Sequence, residues 1–270
     1  MVRKLQPVET EHRTPNPEHP PRARLVEVFS SIQGEAELVG YRQIFVRTFG
    51  CNLRCSWCDS PETLFGHPPA RFERTPGHRD FEQRPNPVSM ETVLEAIHRL
   101  NQVPHHSISL TGGEPLLHAR FFRSFLPELR SRERLPLYLE TNGLLPEHLE
   151  QVIDLIEIIG MDLKPPSCTD DPLPDWQERH RRFLALARRK RVFVKLVVGP
   201  HPDPDEMEAA FRLVAEQDPA LSLTLQPVTP FGPIQQAPTD REMLHWHERA
   251  SRHLSNVRII PQVHKFMGLL

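Results

Sequence analysis

Three cysteines within eight residues, Cys51, Cys55 and Cys58 in GCNLRCSWCDS, are the densest chemistry in the chain. They sit too close together for a disulfide framework, and soft thiolates at this spacing select zinc or an iron–sulfur cluster in a reducing compartment. A closed four-thiolate site would show a second ligand pair at short spacing. Cys168, the one other cysteine, lies 110 residues beyond Cys58 with no CxxC or HxxxH neighbour, and reads as a bystander. The simplest count is three protein ligands and one open metal position, where a metal can react. A zinc knuckle that only staples a loop is the competing reading.

Other polar groups recur at the ends of apolar runs. LTGGEP, Leu110 to Pro115, offers two glycines that let a backbone approach a ligand, plus the Glu114 carboxylate. ETNG (140–143), MDLK (161–164) and Gln226 in LQPV end later runs, and Lys195 lies inside VFVKLVV. A lysine in such a run reads as a snorkelling or interior ion partner more readily than as a ligand. Upstream, FSSIQGEAELVG and FVRTFG bring Gln33, Glu35 and Arg47 to just before the cysteine loop.

Short strands must hold these groups. RLVEVFSSIQGE and QIFVRTFG, rich in Val, Ile, Phe and Thr, read as the first two, and HSISL, LPLYLE, IEIIGMDL, RVFVKLVV and LSLTLQPV follow. Between them lie METVLEAIHRLN, HARFFRSFLPELRS, EHLEQVIDLI, WQERHRRFLALARR and EMEAAFRLVAEQ, with apolar residues at helical spacing. A last helix opens at Thr239 with Glu242 in capping-box position and Met243, Leu244, Ala250 and Leu254 on one face. From QIFVRTFG onward, six strands alternate with helices. That implies an α/β fold, an incomplete TIM-like β/α barrel of about six parallel strands with its site at their C-terminal ends. A doubly wound open sheet is the alternative, since periodicity does not separate curled from flat.

The 29 prolines, about twice average usage, concentrate in Pro7–Pro21 and Pro61–Pro87, both expected to be irregular. We therefore expect an N-terminal arm over 1–22, a domain over 23–270, and an insertion at 61–87 that forms a lid, a hairpin or a partner surface. A formal charge of −2 gives no global basic field for nucleic acid or anionic membranes. No apolar run is long enough to span a membrane and the start lacks a signal-peptide core, so a cytoplasmic address is expected. His245 and His247, two apart on a helix, point too far apart to share an ion, and His105 and His106 precede a strand, so these four read as surface or packing residues.

The CxxxCxxC pattern after a strand and a glycine resembles the radical S-adenosylmethionine (SAM) superfamily. The resemblance implies a [4Fe–4S] cluster on Cys51, Cys55 and Cys58 whose fourth iron chelates SAM. It also implies Trp57 beside the adenine, Gly112, Gly113 and Glu114 in the second motif that binds the methionyl end, and Asp162, Lys164 and Gln226 at the ribose and carboxylate. IQGE, CDS and PQVHKF make residues 24–267 resemble, more narrowly, the 7-carboxy-7-deazaguanine synthase family of the 7-deazapurine and queuosine pathway. That implies a carbon–nitrogen lyase converting 6-carboxy-5,6,7,8-tetrahydropterin to 7-carboxy-7-deazaguanine and ammonia. Mg2+ would be held through Ser60, and the pterin by Ile32, Gln33, Gly34, Glu35, Arg47, Thr111 and His264. A Gln amide and a Glu carboxylate can pair a pterin edge, and Arg47 can grip a carboxylate in bidentate fashion. A one-electron donor such as flavodoxin or ferredoxin and a homodimer are the implied partners.

Three departures accompany the resemblance: Ala36 stands where a glycine usually follows IQGE, the 61–87 insertion is long, and the chain stops at MGLL, which puts a role for the terminus in doubt. Two alternatives stay open. A radical SAM activase acting on a protein partner would commonly carry further cysteine-rich inserts, and a zinc-stapled binding module would be no enzyme. Because the substrate groups precede the cysteine loop and the cofactor groups lie on later strands, the two sets are expected to be chemically independent.

Overall fold

The structure, a computed structural model, describes residues 21–66, 68–170, 173–230 and 234–269. The expected arm over 1–22 lies outside the described residues up to residue 20, and its last residue belongs to β1 (Arg22–Ala23). The two apolar runs that follow are β2 (Leu25–Ile32) and β3 (Arg42–Thr48), an antiparallel pair. The insertion is not irregular throughout. It contributes a hairpin, β4 (Ala70–Glu73) and β5 (Phe81–Arg84), and β4 pairs in parallel with β2. Short β6 (Val88–Ser89) pairs with β1.

From there strand and helix alternate as expected: α1 (Met90–Leu100), β7 (Ser107–Gly112), α2 (Ala119–Arg132), β8 (Leu137–Thr141), α3 (Pro146–Glu150), β9 (Ile158–Leu163), α4 (Trp176–Ala187), β10 (Arg191–Val198), α5 (Pro204–Gln217) and β11 (Ser222–Pro227). Then come α6 (Asp240–Ser251), β12 (Asn256–Ile259) and α7 (Val263–Phe266). The capping box at Thr239 is present: its hydroxyl accepts from Glu242 N at 3.2 Å while Glu242 accepts from Thr239 N at 2.7 Å. On α6, however, Trp246 is buried beside Met243 and Ala250, whereas Leu244 is 62% exposed. The helix expected across EHLEQVIDLI stops at Glu150 and resumes as a 3₁₀ turn, Ile153–Leu155, since the chain must swing into β9 within a few residues.

One sheet runs β12-β11-β10-β9-β8-β7-β3-β2-β4-β5. Every neighbouring pair from β3 to β12 is parallel, so the incomplete barrel holds seven parallel strands among the described residues. The seventh, β12, reads NVRI and alternates exposed and half-buried, a pattern too short and polar to announce a strand. Helices cover the outer face through a continuous apolar core in which Phe122, Phe125, Phe183 and Phe211 are fully buried, each such side chain worth roughly 1.5–3 kcal/mol. Inside the barrel, Leu38 from the 3₁₀ turn Ala36–Leu38 packs against Tyr138 and Phe193 and closes the floor. No helix among the described residues is long and apolar enough to cross a membrane.

Candidate active site

The C-terminal ends of β3 and β7–β11 open onto a single cavity of about 440 Å3. Cys51, Cys55 and Cys58 all line it, in the loop that follows β3. Cys168 does not stand apart. Its carbonyl accepts from Ser56 N at 2.9 Å, Cys55 bridges to Thr169, and the Cys168 thiol donates to the Cys55 sulfur. That bond is the largest influence holding Cys55 down, against burial, to about 6. Cys51 is pushed up to about 12, first by burial and then by Glu114. A free thiol there keeps its proton until a metal displaces it.

Backbone proximity builds the wall beside this loop. Gly113 N–H donates to Thr48 O at 3.3 Å and Glu114 N–H to Gly50 O at 2.7 Å, so the LTGGEP turn is laced to the strand that launches the cysteines. A Cβ on Gly113 would lie 2.2 Å from Gly50 O, and Gly112 sits at φ +135° with a Cβ position 2.3 Å from Thr48 O. Only glycine allows this approach. Glu114, expected to touch the cofactor, does not line the cavity. It is fully buried and its two oxygens accept from Leu116 N, Thr141 Oγ1 and Asn142 N at 2.8–3.0 Å. Burial outweighs these donors and raises its carboxyl to about 7. Its role is to fasten the β7 turn to the end of β8.

Trp57, Gly112, Gly113, Asp162, Lys164 and Gln226 do line the cavity. Trp57 Nε1, Asp162 Oδ1 and Gln226 Oε1 are buried with no partner among the described residues, a pattern that asks for a ligand's polar groups. Three soft thiols, a glycine-walled cleft and these orphaned atoms together fit a thiolate-bound cluster with an amino-acid-bearing nucleoside beside it. His180, unnoticed in the sequence, braces this wall. It is fully buried between Trp176 O (2.8 Å) and Asn142 O (3.0 Å), and burial lowers its pKa to about 4 despite those contacts.

The opposite wall is ionic. Ile32, Gln33, Gly34, Glu35, Arg47, Thr111 and His264 all line the cavity. The Gln33 amide, expected to read a heterocycle edge, is committed to the protein: Nε2 donates to Glu140 at 2.9 Å and Gln43 at 3.3 Å, and Oε1 accepts from Glu35 N at 3.0 Å. It positions Glu35 and Glu140. Glu140, pushed up chiefly by burial, takes a second bond from Ser109 Oγ at 2.6 Å and lines the cavity itself. ETNG stood out in the sequence, but its glutamate could be placed only once β8 lay beside the IQGE loop.

The expected independence of the two walls does not hold. Lys195 bonds Glu35 and lies 3.1 Å from Asp162, which in turn accepts from Lys164 at 2.8 Å. A chain of alternating charge, Glu35–Lys195–Asp162–Lys164, crosses the barrel interior. Burial alone would raise the Glu35 carboxyl, yet Lys195 and Gln262 hold it down at about 2. Lys195 is an interior ion partner, with burial opposing and Asp162 and Glu35 favouring its charge.

The C-terminal segment closes the mouth. Gln262 Nε2 bridges Glu35 Oε1 (2.7 Å) and Asp59 Oδ2 (2.8 Å), Val263 N donates to Gly34 O at 2.9 Å, and Lys265 lies 3.5 Å from Asp59. His264 packs so closely on Gly34 that a Cβ there would meet its Nδ1 at 2.0 Å. Ligand atoms of Glu35, Asp59 and His264 lie within 4.8 Å of one another. Ser60 Oγ is 3.4 Å from both Asp59 Oδ1 and Arg47 Nη1, at the edge of this group. Hard oxygen donors of this kind suit a magnesium ion.

Comparison with known proteins agrees with this geometry. Residues 45–214 match the family model of the radical SAM superfamily. A 7-carboxy-7-deazaguanine synthase from Geobacter sulfurreducens is 46% identical over 93% of this chain and 99% of its own length. Another, from Methanothermobacter thermautotrophicus, is 35% identical over 92% of this chain and 98% of its own. The crystal structure of QueE from Escherichia coli superposes with a TM-score of 0.57 at 21% identity, covering 90% of this chain and 95% of that one, and shares the fold.

Proposed function

From the premise that the chain belongs to the 7-carboxy-7-deazaguanine synthase family of the radical SAM superfamily, we propose how its cavity divides between cofactor and substrate. The protein is a radical SAM carbon–nitrogen lyase that converts 6-carboxy-5,6,7,8-tetrahydropterin to 7-carboxy-7-deazaguanine and ammonia in 7-deazapurine biosynthesis. The activase and zinc-module readings fall away with that membership. When bound, the [4Fe–4S] cluster and SAM supply the 5′-deoxyadenosyl radical that opens the reaction.

The residues divide the remaining work. Cys51, Cys55 and Cys58 hold the cluster. Gly112 and Gly113, packed on the backbone of Thr48 and Gly50, line the cavity where the methionyl end would lie, while Asp162, Gln226 and Trp57 offer the unpaired atoms that its nucleoside end can satisfy. Arg47 grips the pterin carboxylate, and Glu35 and Glu140 accept from the pterin edge. Lys195 keeps Glu35 ionised for that purpose. Ser60 would hold Mg2+, with Asp59 beside it, and the ion would supply positive charge near the substrate carboxylate. A one-electron donor of flavodoxin or ferredoxin type and a homodimeric assembly complete the reading.

One observation carries it: the three cysteines, the paired glycines and Arg47 open on the same cavity. The test is an anaerobic assay of cluster-reconstituted protein with 6-carboxytetrahydropterin, SAM, Mg2+ and a reductant. Deazaguanine carboxylate forming over many turnovers without net loss of SAM is expected. SAM cleavage with no pterin-derived product would overturn the substrate assignment.

A further inference from the structure

The insertion hairpin brings a second guanidinium into the substrate wall. Arg71 on β4 lies in register with Glu27 on β2 and lines the cavity, as Arg47 and Glu27 do. Glu27, 3% exposed, accepts from Arg47 Nε at 3.0 Å on one oxygen and from Arg71 Nη2 on the other. Two guanidinium groups thus share one carboxylate. Arg71 also lies over the Phe81 ring at 4.9 Å, and Arg47 over Phe29 at 5.4 Å, so flat apolar faces hold both.

The hairpin that carries Arg71 is firmly seated. Phe72 is buried, and Glu73, 1% exposed, accepts from Ser30 N of β2 at 2.8 Å and from Arg79 N in its own turn at 2.7 Å. Arg99 of α1 donates to Glu73 O and Glu82.

Charge arithmetic then decides what this corner can bind. Arg47 and Glu27 alone cancel. With Arg71 the group carries one net positive charge, the complement of a single carboxylate. Asp59 nearby is already matched by Lys265, and Glu62 stands exposed at the rim, where solvent screens it.

We propose that Arg71, delivered by the 61–87 insertion, is a specificity-determining residue that binds the substrate's carboxylate together with Arg47, with Glu27 as their common anchor. This rests on the pterin reading above and assigns the insertion a part in it. Arg71 contacts substrate from a strand outside the parallel barrel. Glu27 is a positioning residue.

The test compares Arg71→Met, Arg71→Lys and Arg71→Met/Glu27→Gln with the wild type in the anaerobic assay, recording KM for the pterin and for SAM. The Arg71 side chain is 43% exposed and so partly screened, and Arg71→Met is expected to raise the pterin KM about tenfold, with the SAM KM unmoved. Arg71→Lys should recover part of that loss. Removing the Glu27 charge as well restores the net positive charge, so the double variant should bind pterin better than Arg71→Met. A pterin KM within twofold of wild type for Arg71→Met, or a double variant weaker still, overturns the inference. Failure of the wild type to turn over the carboxypterin strikes the functional reading instead, so the two failures are distinct.

Discussion

The two walls of the cavity are made by different physics. On the cysteine side, backbone touches backbone: Gly113 leaves no room for a methyl group against Gly50, and the buried Glu114 draws three separate donors together. On the opposite, ionic side, the wall is built from paired charges: Arg47–Glu27–Arg71, and Glu35 with Lys195, which reaches across to Asp162. Contact without side chains tolerates almost no substitution, because strands must separate to admit one atom. Paired charges can be redistributed, since a neighbour can take over part of a lost partner's role. The first wall therefore suits a cofactor that never varies, and the second a substrate that must be told apart from its analogues.

The largest effect should come from the cysteine side. Cys55→Ala is expected to lose the cluster, and with it all SAM cleavage, as read by iron content and anaerobic turnover; full iron with normal cleavage would remove Cys55 from the ligand set. Next is Lys195→Met, which takes the cation from Glu35 and leaves Asp162 to Lys164 alone. With 15% of the lysine exposed, the stability loss should fall near the low end for a buried pair, roughly 3 kcal/mol. Both the pterin and the SAM KM should rise. If only one rises, the two walls are separate after all.

A smaller effect appears on acidification. His180, held at about 4 instead of 6.5, stays neutral in the fold while the unfolded chain takes up a proton. Its contribution is complete above pH 6.5 and is lost as the pH falls toward 4, which amounts to about 2 kcal/mol by pH 5. Thermal melts between pH 7 and pH 5 should show this slope, and His180→Gln should flatten it. An unchanged slope would assign the acid sensitivity to other groups. The smallest effect should be that of Cys168→Ala. Its thiol donates to Cys55 without lining the main cavity, so iron content should remain that of wild type, with at most a modest shift in cluster potential.

These contrasts follow what was legible in the sequence. Strand and helix alternation, the cysteine spacing and the paired glycines are local patterns, and each was readable because its physics lies within a few residues. The charge chain was not. Glu35 and Lys195 are 160 residues apart, and nothing at either position names the other until β10 faces the barrel floor. Gln33 and Glu114 show the same limit: the bonds of Gln33 to Glu140 and Gln43, and of Glu114 to Thr141 and Asn142, join residues far apart in sequence and appear only once those partners meet in space. On α6 Trp246, three residues after Met243 and four before Ala250, completes the buried stripe, whereas Leu244 falls beside it and stays exposed. The strand β12, four residues with an arginine, is too short for any periodicity to register.

The hairpin has a second consequence, at the sheet's border. A barrel that does not close leaves two strands with unpaired backbone groups, and such edges recruit strands from other molecules. Without the insertion, one edge would be β2, eight residues reading LVEVFSSI and largely buried. With it, the border moves out to FEQR, which carries Glu82 and Arg84 and is followed by Pro85 and Pro87. The opposite edge is equally blunt, being four residues long with Arg258 in it and Pro261 just beyond. Deleting the hairpin would thus expose a sticky apolar ribbon and invite aggregation, so the segment that brings Arg71 to the cavity also guards the open sheet against growth.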